Sequence, residues 1–518
     1  MGTQRSSRLG VLLSVGLVLL LEGSVPFAKE RVAEPKGQLV IAVDFPITPA
    51  WFDPAETPAI TSPFVFLYAL HDALLKPLPR RVMAPTLAES WTESEDGLEY
   101  EFKVRGGVSF VNGDPFTAED VKFSFERYKG ANAALLREKV KTVEVVGPLR
   151  VRFRLKEPWP DFLAYYGTPA TGAAWVVPKR YLEEVGEEGF QKHPIGLGPY
   201  KFVHFQPGVE LVVEANERYW RKVPQVKRLI FKGVPDHSTR LAMVKTGEAD
   251  ISYGMSGPQT SEVLRDPRLR LAKALPAVVG FLGFPEQFDP QSPWHDQRVR
   301  MAAAHAVDMQ AISDAERLGM APPTGSIVSR ELAFALPFKP YPYKPEQAKR
   351  LLAEAGYPNG FDAGDLTPVP PQFSLGEAVI NYLAAAGIKT KLRVMERAPF
   401  FTAWREKKLK GVIVGPAAMM GNAATRIEAF AVSGGYYAAG GYPDIDALFQ
   451  QQASEGDRLK REILLHEIQR RIHDRVMFAP IYDVAVLHAV GPRVEEPAVG
   501  ITPLLFFPAP YEAMRLKE

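Results

Sequence analysis

The stretch MAPTLAESWTESEDGLEYEFKVRGGVSFVNGDPFTAEDVKFSFERYK, residues 83–129, spells out a strand, a turn and a helix in succession. Leu98, Tyr100, Phe102 and Val104 alternate with Glu99, Glu101, Lys103 and Arg105, and a period of two buries one face of a strand. Glu95-Asp96-Gly97 supplies a turn before it, with Gly97 free to take a positive φ. Asn112-Gly113-Asp114-Pro115 supplies another after Phe110. Thr117 stands where a helix N-cap belongs, and Asp120 three residues on makes a capping box with Asp in place of Glu. Val121, Phe125 and Tyr128 follow at i, i+4 and i+7, the stripe of a helix packed on a sheet.

Composition bounds what surrounds this unit. At 518 residues the chain is too long for one core and is expected to divide into two or three lobes. Hydrophobic content of 46% and charged content of 24% are ordinary for a soluble globular protein. With 62 basic residues dispersed among 60 acidic ones, nucleic acid is not an expected partner. There is no cysteine, which excludes thiolate metal sites, cysteine nucleophiles, disulfides and a lipid-bearing cysteine anchor. Residues 1–28 read as a secretory signal peptide: Arg5 and Arg8 precede the apolar run VLLSVGLVLLL at 11–21. That run is about half the ~20 residues a spanning helix needs. Pro26 is a poor residue for cleavage after Ala28, and an uncleaved anchor is the alternative.

Proline-x-Leu87-Ala88-Glu89-Ser90-Trp91, the alternating strand, and then the run from Gly107 to Val121 (GVSFVNGDPFTAEDV) together resemble the extracytoplasmic solute-binding proteins of family 5, the peptide- and nickel-binding group of ABC importers. Other segments add to the resemblance. Residues 193–220 (HPIGLGPYKFVHFQPGVELVVEANERYW) hold a Gly-x-Gly-Pro-Tyr turn, a strand, a Pro-Gly hairpin and an Asn-x-x-Tyr-Trp ending in the family's manner. Gly196-Leu197-Gly198 is no nucleotide loop, because Pro199 and a strand follow it and no helix N-terminus is offered to a phosphate. The segments from Asp296 to Asp308 and from Tyr343 to Gly360 also match the family's pattern. The resemblance implies an α/β fold: a two-lobed periplasmic binding protein (type II, cluster C-like) with an extra subdomain in the first lobe and a hinge of two crossings. Lobe I is expected over 38–275, including an inserted subdomain at about 80–190, lobe II over 276–484, and a return to lobe I over 485–518.

Local patterns fill in the rest. LVIAVDF, residues 39–45, reads as a buried strand, 49–63 as a loop and 64–75 as a helix. In the resembled family the loop after this first strand faces the ligand cleft, making Asp44, Trp51 and Phe52 candidates; Trp51 and Phe52 fit a core-covering role equally well. Residues 141–156 read as a hairpin whose Arg150, Arg152 and Arg154 share one face, a solvated outer face because no aromatics interleave with them. Residues 229–234 form a strand, Asp236 a cap, 238–245 a helix and Ile251 the start of the next strand. Pro345 opens a helix with the stripe Ala348, Leu351, Leu352 and Ala355, closed by Gly356. A helix at 375–386, stopped by Gly387, leads to a strand at 388–394. Leu459, Ile463, Leu464, Ile468 and Ile472 mark a late amphipathic helix with its charges outward, and 476–489 carries the return crossing.

No catalytic constellation is present in the sequence: no Gly-x-Ser-x-Gly elbow and no P-loop. His466-Glu467 opens like a zinc-protease helix, but Arg470 stands where the second histidine belongs, and His473 is roughly 10 Å along the axis, too far to share a metal. The expectation is a binding protein without enzyme activity, metal or cofactor, working as a monomer in the periplasm. Its partners are a small-molecule solute and the transmembrane subunits of an ABC permease. The alternatives are a periplasmic sensor or chaperone-like protein that kept the fold, and a hydrolase.

Peptide-binding members carry, near the end of the second lobe, an aromatic segment with an Asp that pairs the ligand's amino terminus. The matching stretch here, GVIVGPAAMMGNAATRIEAF at 411–430, has no acid before Ile427. A buried ammonium without a carboxylate is costly, so a standard free-amine peptide is not expected. Met419 and Met420 offer an adaptable apolar wall, Asn422 a donor and an acceptor, and Arg426 a partner for a carboxylate or phosphate. Tyr436 and Tyr437 add stacking and hydroxyl contacts. Each has a duller reading: methionines as core filler, Arg426 paired with Glu428 or a surface acid, tyrosines sealing the lobe.

Overall fold

Alternation at 98–105 produces a strand inside a four-stranded antiparallel sheet. The computed structural model describes residues 34–57, 62–370, 372–418 and 421–518, and in it Glu99–Val104 buries Tyr100, Phe102 and Val104. The sheet order is Ala88–Glu93, Glu99–Val104, Arg150–Leu155, Val140–Gly147. On its outer face Arg150 and Arg152 each reach Glu101 at 2.8 Å, and Arg154 reaches Glu144 at 3.0 Å. Cross-strand pairs of opposite charge therefore neutralise the arginine run. Helix Ala118–Glu126 begins at the expected cap, where the Asp120 carboxylate accepts from Thr117 N at 2.8 Å and Thr117 Oγ1 at 3.0 Å. Its other oxygen accepts from Lys179 N at 3.0 Å, so one carboxylate also anchors the start of helix Lys179–Lys192.

A larger sheet of seven strands runs Arg270–Ala274, Val486–Val490, Ile251–Ser252, Lys36–Val43, Val226–Gly233, Glu210–Ala215, Tyr200–Gln206. Lys36–Val43 pairs in parallel with Val226–Gly233 on one side and Ile251–Ser252 on the other. Its continuous apolar run from Leu39 to Val43 suits a strand covered on both faces. A second sheet, of five strands, runs Ile388–Leu392, Phe361–Pro368, Val412–Ala417, Val279–Gly283, Phe478–Asp483. In it Phe361–Pro368 is parallel to both Ile388–Leu392 and Val412–Ala417.

The chain passes between these two sheets twice, from Ala274 to Val279 and from Asp483 to Val486. Val279 is paired with Asp483 and Ala274 with Val486, and between them Val484 N donates to Val278 O at 2.8 Å. The two crossings thus lie side by side as an antiparallel ribbon. After Val490 the chain stays with the larger sheet, where the buried Tyr511 packs on Phe231 and donates to Val65 O at 2.8 Å.

Several elements differ from the pattern-based expectation. The helix expected over 64–75 is Ser62–Leu70. All residues from Pro63 to Leu70 are buried, so no polar face marks its length, and Leu75–Leu78 leaves to pair with Arg81–Pro85. Gly196 and Gly198 let the chain abut its last turn, because a Cβ there would lie 2.0 Å from Leu70 O and 2.4 Å from Ala69 O. The loop at 49–57 contains the 3₁₀ turns Pro49–Phe52 and Pro54–Glu56, and the strand after Gly387 stops at Leu392. Helix Arg458–Asp474 buries Leu465, Ile468 and Ile472 together with Arg461 and Gln469, while Leu459 and Ile463 are 66% and 59% exposed. The expected apolar stripe is therefore rotated, because Arg461 turns inward. Among the described residues no helix is long and apolar enough to cross a membrane; the segment 1–28 lies outside the described residues.

Candidate ligand-binding site

In open sheets with parallel strands, ligands sit outside the carboxyl ends of those strands. In the larger sheet the parallel strands Lys36–Val43, Val226–Gly233 and Ile251–Ser252 end together, delivering Asp44, Phe45, Val234, Tyr253 and Gly254 to one rim. Asp44 is half-buried. Gly254 takes φ +64°, a left-handed backbone that suits glycine, and a Cβ there would stand 3.3 Å from the Asp44 carboxylate. Trp51 is half-buried beside this rim, edge-on to Phe45 with centroids 5.6 Å apart and stacked on Phe66 at 6.2 Å. Phe52 points the other way: fully buried, it meets Phe66, Phe202 and Phe205 in the core.

Beneath the rim lies Arg240, which the sequence reading missed. It is fully buried and donates to Val234 O at 2.6 Å, Pro235 O at 2.8 Å, Tyr253 O at 3.1 Å and Gly254 O at 2.8 Å. Burial draws its pKa down, with the Asp44 charge the largest influence holding it up. One guanidinium thus ties two strand ends together under Asp44. Its only sequence signal is an arginine among Leu241, Met243 and Val244 on the buried side of helix His237–Thr246, which Asp236 caps as expected.

In the second sheet the parallel strands end at Pro368 and Ala417. Met419 and Met420 follow but lie outside the described residues. Asn422 caps helix Ala423–Ala431, its Oδ1 accepting from Thr425 N at 3.0 Å, and its Nδ2 donates to Asp161 Oδ1 at 2.5 Å. Asp161 also takes an ion pair from Arg461, both side chains being buried. Arg426 is fully buried and donates to Ala277 O at 2.6 Å and Ile327 O at 2.9 Å. Desolvation draws it down to about 9, with Asp483 opposing. It is committed to the main chain at the first crossing, and Glu428 pairs with the hydroxyl of Tyr165. At the second crossing Asp483 accepts from Arg330 Nε at 2.7 Å through Oδ2, and its Oδ1 is buried without a partner.

Tyr436 and Tyr437 are brought to a different place. Tyr437 packs on Trp404 at 4.6 Å and Phe430 at 5.1 Å, and Tyr436, 47% exposed, sits edge-on to it. Trp404, Tyr437 and Phe430 line a cavity with Gly283 and Ile413, at the opposite end of strand Val412–Ala417 from Ala417. The candidate residues therefore fall into three groups: Asp44 and Trp51 on the first rim, Asn422 and Arg426 at the junction of the second, and the tyrosines at its far end. Among the described residues no group of three or more His, Cys, Asp or Glu is placed to hold a metal ion. His473 is stacked on Phe338 at 4.2 Å and Tyr341 at 4.8 Å, with Nδ1 3.0 Å from Gly325 O.

Comparison with known proteins names the architecture. The family of bacterial extracellular solute-binding proteins, family 5 (its middle region), matches residues 82–438. The chain belongs to this family. Family 5 relatives include the glutathione-binding protein GsiB of Salmonella paratyphi A, 30% identical over 320 residues, and the chain spans 60% of that protein's length with 60% of its own. The heme-binding protein A of Haemophilus influenzae is 28% identical over 453 residues, 79% of this chain and 81% of that one. Among solved structures, the substrate-binding protein CtaP of Listeria monocytogenes has a TM-score of 0.81 at 21% identity, covering 94% of this chain and 100% of its own. NikA of Brucella suis, in complex with Fe(III)-EDTA, has a TM-score of 0.80 at 23% identity, covering 93% and 100%. The fold of this family 5 chain is the two-lobed type II periplasmic-binding-protein fold, and its relatives and neighbours are binding proteins.

Proposed function

We propose that this family 5 protein captures a small organic solute between its two lobes in the periplasm and hands it to the transmembrane subunits of an ABC permease. The observation that carries the reading is the topology: two sheets, each with a set of parallel-strand carboxyl ends, joined by a paired double crossing. Residues 38–275 form the first lobe with the inserted unit at about 80–190, 276–484 the second, and 485–518 return to the first; residues 1–28 direct export. A solute touching both lobes favours the closed form by its differential affinity for that state. Release is driven by ATP hydrolysis on the importer, and this chain does no covalent chemistry.

The solute is a neutral or anionic molecule with an apolar part. Asp44 and Trp51 contact it from the first lobe and Met419 and Met420 from the second, while Phe52, Asn422 and Arg426 hold the frame. Two observations support this class. No acid stands between Gly411 and Ile427, and Asp161, the carboxylate brought to Asn422, is engaged by Asn422 and Arg461. A free ammonium would find neither oxygen of Asp161 spare there. A relative named for heme, a molecule with carboxylates and no amine, is in keeping with an anionic solute; glutathione, for which another relative is named, carries a free amine and does not bear on this class.

Native mass spectrometry of protein purified from the periplasm, followed by denaturing release, tests the reading. A single co-purifying small molecule without a free amine, which raises the unfolding temperature when added back, is the expected result. A ladder of peptides overturns the solute class. An empty protein that no metabolite in a broad thermal-shift screen stabilises overturns the binding function.

A further inference from the structure

Helix Met309–Arg317 packs on strand Phe478–Asp483 of the second sheet, and its last turn touches the helix that follows the first rim. A Cβ at Gly257 would lie 2.6 Å from Ala315 O and 3.3 Å from Glu316 O. Gly257 opens helix Gly257–Arg265, shortly after Gly254 on the rim. Between them Met255 N donates to Leu487 O at 2.6 Å, beside the start of strand Val486–Val490 and the second crossing. On the other side Arg317 Nη2 donates to Gln372 Oε1 at 3.4 Å, just past the carboxyl end of strand Phe361–Pro368. Burial pushes the hydroxyl of Tyr482 up, and the Arg317 charge opposes this from beside the same crossing. Arg317 therefore stands where the two rims and the crossings come together.

This guanidinium is scarcely used. The long bond to Gln372 is its only hydrogen bond among the described residues, and no carboxylate there pairs with it. Its acidic neighbours are engaged elsewhere: Glu316 by Ser374 Oγ at 3.1 Å and Asp314 by Gln310 Nε2 at 2.8 Å. Arg240 and Arg426, by contrast, spend their donors on main-chain carbonyls. Arg317 is half-buried. Of its nitrogens left without a bond, Nε is buried and Nη1 is open to solvent. A cation partly out of water without a counter-ion is costly, and an anion reaching Nη1 relieves that cost.

On the reading that the chain captures a solute between its lobes, we infer that Arg317 recognises that solute by a carboxylate. The outer edge of the guanidinium, Nη1 and Nη2, donates to the two carboxylate oxygens, a planar fork meeting a planar group. A phosphate, with its second charge, calls for another cation, and Arg330 at the second crossing is already held by Asp483 at 2.7 Å.

The probes are 3-phenylpropanoate and 3-phenylpropanamide, alike in shape but with only the first charged. The full chain, labelled with ¹⁵N-arginine and cleared of solute by unfolding in guanidinium chloride and refolding, is titrated with each. The Arg317 side-chain resonance, assigned by Arg317→Lys, reports at the site. The acid is expected to shift it saturably and to bind at least about tenfold more tightly than the amide, the scale of one charge-assisted hydrogen bond. Arg317→Gln is expected to bring the two affinities together. An Arg317 resonance unmoved by millimolar acid, or equal affinity of the native chain for both probes, overturns the assignment. Where native mass spectrometry still releases a solute from such a chain, capture stands and Arg317 alone is excluded. Where no solute is released or found by screening, capture falls as well.

Discussion

Arg240, Arg300 and Arg426 are all buried, and all three spend their guanidinium on main-chain carbonyls. Arg300 joins Trp294, His295, Arg475 and Val476 at 2.7 to 3.0 Å, as Arg240 joins Val234, Pro235, Tyr253 and Gly254. Where elements end, carbonyls are left without partners, and a fork of five donors closes several of them at once. Arg240→Met fills similar space but orphans four carbonyls, and it is expected to lose about 3–5 kcal/mol in urea unfolding. A loss below about 1 kcal/mol would mean that water takes over the carbonyls. Two buried histidines act on pH dependence. Desolvation draws His71 and His488 down to about 4, so the folded state keeps them neutral while the unfolded chain protonates near pH ~6.5. Their contribution is complete above that pH and is lost as pH falls toward 4, by up to ~1.4 kcal/mol per pH unit for each. Asp120, Asp250 and Glu428, raised by burial, oppose this in the carboxylate range. Between pH 7 and about 5.5, therefore, stability should fall with pH, and His488→Gln should reduce the slope of ΔG against pH. An unaltered slope in that variant would show that His488 is not buried neutral.

At the scale of elements, glycines mark where backbones touch. A Cβ at Gly196 would sit 2.0 Å from Leu70 O, whereas Gly208, at φ +73°, has open space around it. Gly208→Ala should cost about 1–2 kcal/mol for the left-handed backbone alone, and Gly196→Ala at least about 3 kcal/mol because helix Ser62–Leu70 must move. Comparable losses in thermal or urea unfolding would mean that the helix end gives way easily. What could be read from sequence follows the range of the forces. Strand Glu99–Val104 and the Thr117–Asp120 cap are local and were legible, as was the αL stop at Gly387. Arg426 was legible only as an arginine suited to an anion, because the carbonyls it serves lie 99 and 149 residues away. In helix Arg458–Asp474 the expected stripe holds at Ile468 and Ile472 but fails at Leu459 and Ile463, for the same reason. Arg461 turns inward to Asp161, 300 residues earlier, and a hydrophobic stripe drawn through Leu459 and Ile463 has no means of registering that partner. Tyr436 and Tyr437 followed the candidate segment in sequence, yet helix Ala423–Ala431 carries the chain away from Asn422 before they occur.

For the whole molecule, the segment after the four-stranded sheet and the helices after strand Val412–Ala417 meet through a small polar junction in which Asp161 holds Asn422 and Arg461, and Tyr165 holds Glu428. Asp161→Ala leaves the Arg461 charge buried without its carboxylate, at a cost of about 3–5 kcal/mol. The expected result is a larger radius of gyration in small-angle scattering, partly reversed when Arg461→Met is added. An unchanged radius would mean that the junction merely accompanies contact made elsewhere. The paired crossings have a mechanical consequence. Two strips of backbone bonded edge to edge, Val484 N to Val278 O, flex easily across their flat face but resist twisting and sliding. The lobes of such a body are expected to swing about a single axis, like a door on a strap hinge rather than a ball in a socket. Arg426, gripping Ala277 one residue before that strap, makes helix Ala423–Ala431 the lever arm, so a push on the helix becomes a rotation of the door.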